Sequence, residues 1–245
     1  MTIQVDRADA VVTITLRRPA KLNAMTDDMW RSLGAALATV TPATDRVVVL
    51  TGAGGTFCAG SDVGGLLDGD QPLAGRIRMM NDVLLTLHEL PVPTIAAVAG
   101  VAAGAGANLA LLCDFVLAAD DARFLELFIR RGLSLDSGAS WLLPRLVGDR
   151  RAREIAMLGD AVAAPVAEQW GLITRSVAAT DLADQVAALA GRLAALPHAA
   201  LAGTKRLLLR SRETDLAQAM TAEAANQLSI IELPAAREAI ARYLR

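Results

Sequence analysis

The chain has 245 residues, enough to bury a large apolar core in one domain, and 53% of them are apolar while only 3% are aromatic. Its formal net charge is -2 and its Lys and Arg residues are scattered, which argues against a nucleic-acid-binding protein. The two cysteines form neither a C-x-x-C motif nor a cluster with a histidine, so we expect no disulfide framework and no metal site.

Residues 1–19 alternate apolar and polar side chains as a strand does, and they lack the pattern of a secretory signal. We therefore expect a cytoplasmic protein. Residues 94–113 are uncharged over about the twenty positions that a membrane span requires. They consist largely of Ala and Gly, include Asn108 and follow two prolines, so we expect no membrane span there.

The first half of the chain alternates predicted strands with predicted helices, which indicates parallel strands joined by helical crossovers in an α/β fold. After Arg150 the apolar period becomes that of helices, with one more strand at 173–177. We therefore divide the chain into an α/β core, 1–190, and a C-terminal helical segment, 191–245. The other predicted strands are 11–16, 46–51, 94–98 and 114–118, and the predicted helices are 26–40 with Thr26 as its cap, 76–90, 151–158, 164–170, 182–196 and 199–225.

Two glycine-rich turns, GAGGTFCAGSDV (52–63) and AGVAAGAGAN (99–108), each follow a predicted buried strand. Turns without bulky side chains at the ends of neighbouring strands can aim main-chain N–H groups at one point, which is how an oxyanion hole is built. The alternative to an oxyanion hole is that both segments are ordinary tight turns with no role in binding. A dinucleotide-binding turn is disfavoured, because Phe57 stands where the third glycine of G-x-G-x-x-G belongs.

At residues 59–63 and 99–108 the sequence resembles the crotonase family, which contains the enoyl-CoA hydratases and isomerases. Further segments are similar to the family in the family's order, namely KLNAM (21–25), GLSLDSGASWLLPRLVG (132–148) and AREAIARYLR (236–245). The resemblance implies a crotonase-like spiral of ββα units, with a C-terminal helical segment that serves trimerisation and acts as a lid. It also implies an acyl-CoA substrate, no cofactor other than the coenzyme A of that thioester, and a homotrimer or hexamer.

The resemblance assigns roles to individual positions. The oxyanion donors of the family fall on the N–H of Ser61, after the glycine of A-G-x-D, and on the N–H of Ala105, where the family has a central glycine. A methyl group at that position keeps the donor and narrows the pocket. The positions at which the family holds CoA fall on Lys21, Leu22 and Ala24 and on Ala59, Asp62 and Val63.

The acid and base residues separate the possible reactions. Hydration in this family uses two glutamates, and Asn108 and Phe128 stand at their positions here. Asp136 matches the carboxylate of isomerase branches that act on 3-enoyl-CoA and on ring-epoxide CoA thioesters. One carboxylate is sufficient for an isomerase, because it takes a proton from C2 and returns it at C4 without activating water. The resemblance therefore implies a 3-enoyl-CoA to 2-enoyl-CoA isomerase, with a hydratase, a ring-epoxide isomerase or a CoA-binding protein with little turnover as alternatives.

Asp136 also has a purely structural interpretation, since Asp-Ser precedes a predicted helix and the carboxylate would then be its N-cap. In the catalytic interpretation, Leu133, Leu135 and Phe128 surround the carboxylate with apolar groups and raise its pKa.

Two nearby polar residues receive no catalytic role from the sequence. Glu126 lies in the alternating stretch 122–127, and a surface or rim position explains it as well as a site does. Asn108 opens the helix after the second glycine-rich turn, where capping or hydrogen bonding at the helix start is the simplest expectation and orientation of a substrate group is the alternative.

Overall fold

The computed structural model describes residues 2–62, 64 and 72–243 of the chain. Val63, one of the positions expected to contact CoA, lies outside the described residues. All other candidate site residues lie inside them.

The main sheet consists of a hairpin followed by parallel strands. Its six strands, in spatial order, are Ile3–Ala8 (β1), Val11–Leu16 (β2), Val47–Gly52 (β3), Thr94–Val98 (β4), Phe115–Ala119 (β6) and Arg175–Val177 (β9). β1 pairs with β2 antiparallel, and every other neighbouring pair is parallel. Continuous burial along β4 fits a strand covered on both faces. The strands predicted at 11–16, 46–51, 94–98, 114–118 and 173–177 are thereby confirmed within a residue or two at their ends.

A second, smaller sheet carries the site. It consists of Val101–Ala103 (β5), Arg123–Leu125 (β7) and Val162–Ala163 (β8), with β5 and β7 parallel and β7 and β8 antiparallel. A strand of the main sheet is followed by a strand of the small sheet and then by a helix, which repeats along the chain as the predicted spiral of ββα units. Since β5 and β8 have only three and two residues, apolar periodicity could not predict them.

Helices cover the main sheet and form the C-terminal region. Thr26 caps the first helix, since its side chain accepts a hydrogen bond from the Met29 N–H at 3.2 Å, as predicted. The helices of the described residues are Asp27–Ala38 (α1), Leu73–Glu89 (α2), Ala105–Leu111 (α3), Ala139–Leu158 (α4), Ala164–Gln169 (α5), Leu182–Ala194 (α6), His198–Arg210 (α7), Leu216–Ile231 (α8) and Pro234–Tyr243 (α9).

Two helix predictions are corrected by the structure. The single helix predicted at 199–225 is wrong, because the chain breaks between α7 and α8 and Asp215 starts α8 with a capping box to Gln218. The helix predicted at 151–158 begins earlier, and α4 bends at Gly148, whose φ of 75° and ψ of 164° are not helical. The division of the chain at 190/191 stays a prediction, and α6 runs across it.

The segment examined as a membrane span, 94–113, folds into β4, β5 and α3. Across the described residues, no helix taken alone has both the length and the apolar composition to cross a membrane. α6 and α7 meet those two criteria only as a pair, and that pair is bent by 105°.

Candidate active site

The turn at 21–25 and the loop at 58–62 are joined along their main chains. The Met25 N–H donates to the Gly60 carbonyl at 2.8 Å, and the Asp62 N–H donates to the Met25 carbonyl at 2.8 Å. The Ala59 N–H donates to the Leu22 carbonyl at 2.9 Å. These bonds place the described positions expected to hold CoA on two adjoining segments, namely Lys21, Leu22, Ala24, Ala59 and Asp62. Their contact with CoA stays a prediction.

A buried asparagine, to which the sequence analysis gave no role, fixes this turn. Asn23 donates two hydrogen bonds through Nδ2, to the carbonyls of Ala53 at 2.8 Å and Thr56 at 2.6 Å. Its Oδ1 accepts from the Arg18 N–H at 2.8 Å. Asn23 has a φ of 54°, a conformation that Asn adopts more readily than most residues. The asparagine in KLNAM could therefore have predicted this turn from the sequence.

Arg18 then ties the turn to the loop. Its Nη1 donates to the Ala24 carbonyl at 3.0 Å and forms an ion pair with the Asp62 carboxylate at 2.6 Å. Two hydrogen bonds lower the pKa of Asp62, chiefly the one from the Gly64 N–H and then the one from Arg18. The Asp62 carboxylate thus has hydrogen-bond partners within the protein, namely Arg18 and the Gly64 N–H.

The second glycine-rich turn packs directly on the first. The Cys58 N–H donates to the Val101 carbonyl at 3.0 Å, and the Ala103 N–H donates to the Cys58 carbonyl at 2.9 Å. Gly60 has a φ of +98°, and a Cβ there would lie 2.7 Å from the Ala103 carbonyl oxygen and 3.7 Å from the Ala105 nitrogen. The approach of one main chain to the other, rather than turn formation alone, therefore requires glycine at this position.

Two main-chain donors at this contact are unpaired. Within the described ranges, neither the Ser61 N–H nor the Ala105 N–H donates a hydrogen bond to another residue. Ala105 is the first residue of α3, where the N–H has no partner inside a helix. Both residues line a cavity of about 60 Å³, together with Asp136. The three residues singled out for the chemistry thus meet at one cavity.

The Asp136 carboxyl group is half-buried and faces this cavity. It accepts a hydrogen bond from the Ser137 hydroxyl at 2.6 Å. The N-cap of α4 is Gly138, with no side-chain cap, so the structural interpretation of Asp136 as an N-cap is wrong. Burial raises its pKa and the Ser137 bond opposes that rise, which confirms the predicted direction. Phe128 and Leu133, two of the predicted apolar neighbours, line the same cavity.

A second cavity, of about 200 Å³, is also lined by Asp136. It shares Ser61, Leu133 and Asp136 with the first cavity, so the carboxyl group stands at the border of both. Its remaining lining is mostly apolar, apart from Ser134 and an ion pair between Arg76 Nε and the Asp27 carboxylate at 2.8 Å. The apolar residues added by this cavity are Trp30, Leu73, Ile77, Met80 and Leu135.

The structure corrects the interpretations of Glu126 and Asn108. Glu126 is only 2% exposed, so the surface or rim position considered for it is wrong. Asn108 does not cap α3, whose N-cap is Gly104. Its Nδ2 lies 3.5 Å from Glu126 Oε2 and 3.5 Å from the main-chain oxygen of Asp136. Burial raises the pKa of Glu126 to about 8.

A signal for the burial of Glu126 was present in the sequence. Side chains alternate between the two faces of a strand, so the pattern of ARFLEL groups Glu126 with Phe124, although β7 itself ends at Leu125. Phe124 is buried in the core, as its residue type suggests.

A larger open groove of about 570 Å³ is lined by residues of α2, α4 and α7, among them Leu85, Trp141 and Arg210. It includes neither Ser61 nor Ala105 nor Asp136, so volume alone does not identify the site. Throughout the described part of the chain, no group of three His, Cys, Asp or Glu side chains is placed to hold a metal ion.

A spiral of ββα units that presents two unpaired main-chain donors beside one half-buried carboxyl group is the arrangement of a crotonase-fold enzyme. Residues 6–245 match the family model described as enoyl-CoA hydratase/isomerase. The chain belongs to the enoyl-CoA hydratase/isomerase family and is an enzyme of that family.

Individual relatives agree with this assignment. A 1,2-epoxyphenylacetyl-CoA isomerase from Escherichia coli (strain K12) is 43% identical over 84% of this chain and 80% of its own length. A probable enoyl-CoA hydratase from Rhodobacter capsulatus is 36% identical over 99% of this chain and 95% of its own. A crystal structure of a Thermobifida fusca YX protein in complex with CoA superimposes with a TM-score of 0.88 at 35% identity, covering 93% of this chain and 92% of the other.

Proposed function

We propose that the protein isomerises 3-enoyl-CoA thioesters to 2-enoyl-CoA thioesters. The Asp136 carboxylate takes a proton from C2, and the resulting dienolate oxygen accepts hydrogen bonds from the N–H groups of Ser61 and Ala105. The Asp136 carboxylic acid then returns the proton at C4, and the double bond moves from C3–C4 to C2–C3. Loss of one such N–H donor typically raises a barrier by about 3 kcal/mol.

One observation carries this proposal. Among the described residues that line the cavity with the two donors, Asp136 is the only carboxylic acid. Phe128 lines the same cavity, at the place where the family's hydratases have a second acid, and its ring can neither give nor take a proton. A proton shift needs one carboxylate, whereas hydration by the usual route needs two. The cavity therefore supports isomerisation over hydration.

We further propose that coenzyme A enters only as part of the thioester, with no separate cofactor. The paired segments at 21–25 and 58–62 present Lys21 and Leu22 at the surface beside the cavity that contains Ser61. The Thermobifida fusca relative in complex with CoA supports this substrate class.

The test uses 3-hexenoyl-CoA carrying deuterium at C2. We expect the absorbance of the conjugated thioester to grow and part of the deuterium to appear at C4, because one carboxylate carries it between the two carbons. A product with solvent hydrogen alone at C4 would contradict a single shuttle. Formation of a 3-hydroxyacyl-CoA from 2-hexenoyl-CoA would favour a hydratase, and binding without turnover would favour a non-catalytic CoA-binding protein.

A second candidate is isomerisation of a ring-epoxide CoA thioester. The 43% identical relative from Escherichia coli is named for that reaction. The mostly apolar cavity of about 200 Å³ beside Asp136 is lined in part by the flat side chain of Trp30, which suits a ring. Turnover of 1,2-epoxyphenylacetyl-CoA with no turnover of 3-hexenoyl-CoA would favour this candidate.

The homotrimer or hexamer and the cytoplasmic location stay proposals. Support for an oligomer comes from α8, which has no buried residue and exposes Leu216, Met220 and Leu228. Light scattering on the purified chain measures the oligomeric state, and fractionation of cells measures the location.

A further inference from the structure

The buried pair Asn108 and Glu126 is not used by the proposed proton shuttle. Glu126 is 2% exposed, and Asn108 is fully buried. Neither residue lines the two cavities that Asp136 borders. The pair is nevertheless connected to the Asp136 main chain, because Asn108 Nδ2 lies 3.5 Å both from Glu126 Oε2 and from the main-chain oxygen of Asp136.

The protonation state of Glu126 follows from its surroundings. No ion pair within the described ranges includes Glu126, and a buried carboxylate without a cation is strongly disfavoured. A titratable side chain whose charge acts on it is Asp136, and a second anion there also favours the neutral acid. The Asn108 side chain, from α3, contacts its carboxyl group.

The unsatisfied hydrogen-bonding atoms of the pair also favour a protonated Glu126. Among the buried side-chain atoms without a partner in the described residues are Glu126 Oε1 and Asn108 Oδ1. Both are acceptors when Glu126 is ionised, so they cannot satisfy each other. Protonation gives Glu126 an O–H donor, which the ionised carboxylate lacks.

We propose that Glu126 is a positioning residue that works as a neutral acid: through Asn108 it holds the segment of Asp136 in place, and its ionisation disables the shuttle. This inference rests on the proposed function for its effect on rate. Ionised Glu126 draws the Asn108 amide into a charge-assisted bond and away from the Asp136 main chain. It also adds a second negative charge beside a site where the enolate must develop one.

The first test compares the pH dependence of kcat with 3-hexenoyl-CoA between about pH 6 and about pH 10. The wild-type protein is expected to lose activity above about pH 8, where Glu126 ionises. Glu126→Gln, which stays neutral, is expected to keep activity at neutral pH within about tenfold and to lose the alkaline decline. Glu154→Gln is the matched control, because Glu154 is exposed, and it is expected to retain the decline. An unchanged alkaline decline in Glu126→Gln would overturn the proposal.

An apolar variant separates positioning from packing. Glu126→Met is expected to lower kcat at neutral pH more than about tenfold with little change in KM, and Glu126→Gln to restore it. Equal losses in both variants would contradict a hydrogen-bonded positioning role.

A second measurement does not need turnover. The C=O stretching band of a protonated carboxyl group is expected in infrared difference spectra of wild type minus Glu126→Gln at neutral pH. It should disappear near pH 8 in the wild type and at lower pH in Asp136→Asn, where the neighbouring charge is gone. Absence of that band at neutral pH would overturn the neutral-acid state. Its presence in a protein that turns over no acyl-CoA would refute the proposed function alone.

Discussion

The cleft has two walls that are held in place by different means. The amide wall, residues 58–61 and 103–105, is fixed by main-chain hydrogen bonds between its two turns. The acid wall, residues 126–136, carries Asp136, and its hydrogen bonds to α3 run through the side chain of Asn108. A main-chain wall tolerates a side-chain change such as Ala105, provided that the Cβ has room. A side-chain wall changes its chemistry with a single substitution.

The largest effect is expected where the acid wall meets substrate. Asp136→Asn keeps the shape of the side chain and removes the base, so kcat should fall by about 10² to 10⁴-fold. Steady-state assays with 3-hexenoyl-CoA measure this, and CoA affinity by calorimetry should stay within about twofold of wild type. The control is Asp121→Asn, an exposed aspartate away from the cleft. A variant with more than about a tenth of the wild-type rate would mean that another group moves the proton.

The amide wall should respond to loss of a donor, but not to loss of a side chain. Ala105→Pro deletes the N–H at the first position of α3, where proline suits a helix. The barrier should rise by about 3 kcal/mol, roughly a hundredfold in kcat/KM. Ala105→Gly keeps the donor and should retain activity within about threefold. Comparable losses in the two variants would show that the methyl group, and not the N–H, matters at this position.

The same contrast explains what the sequence could predict. The amide wall requires glycines at fixed positions, because Gly60 has a positive φ and no room for a Cβ, so its spacing is visible in the sequence. The acid wall depends on how α3 packs on the segment of Asp136, which is a tertiary contact. Asp136 was recognisable from its position in a family motif, while the burial of Glu126, the residue after β7, was missed although the sequence alternation groups it with Phe124.

In the fold, too, the sequence predicted long regular elements better than short ones. Long buried strands and capped helices were predicted, because their apolar period extends over many residues. Short strands such as β8 and the break before α8 were not predicted. That break had a local signal, Asp215 followed three residues later by Gln218, which the continuous apolar period concealed.

Close contact within the amide wall should be visible in stability. A Cβ at Gly60 would lie 2.7 Å from the Ala103 carbonyl oxygen, so Gly60→Ala should lower the free energy of unfolding by about 2 to 4 kcal/mol. Gly55→Ala is the matched control, since Gly55 also has a positive φ but no atom within 4 Å of its Cβ position. It should cost about 1 kcal/mol, from backbone strain alone. Urea unfolding of both variants measures the difference, and equal losses would exclude the contact as the cause.

The most gradual effect, spread over several pH units, concerns stability against pH and belongs to the acid wall. Because burial raises the pKa of Glu126 from 4.5 to about 8, the folded protein binds this proton more tightly than the unfolded chain. The resulting stabilisation is complete below about pH 4.5 and is lost as the pH rises toward about 8, at up to about 1.4 kcal/mol per pH unit. Glu126→Gln lacks this titration, so the free energy of unfolding of the wild type minus that of the variant should decline between about pH 5 and about pH 8 and then level off. Subtraction removes the other carboxyl groups, including Asp62, whose lowered pKa acts in the opposite direction. A difference that stays constant with pH would mean that Glu126 is already ionised in the folded protein, and the acid wall would then contain two charges instead of one.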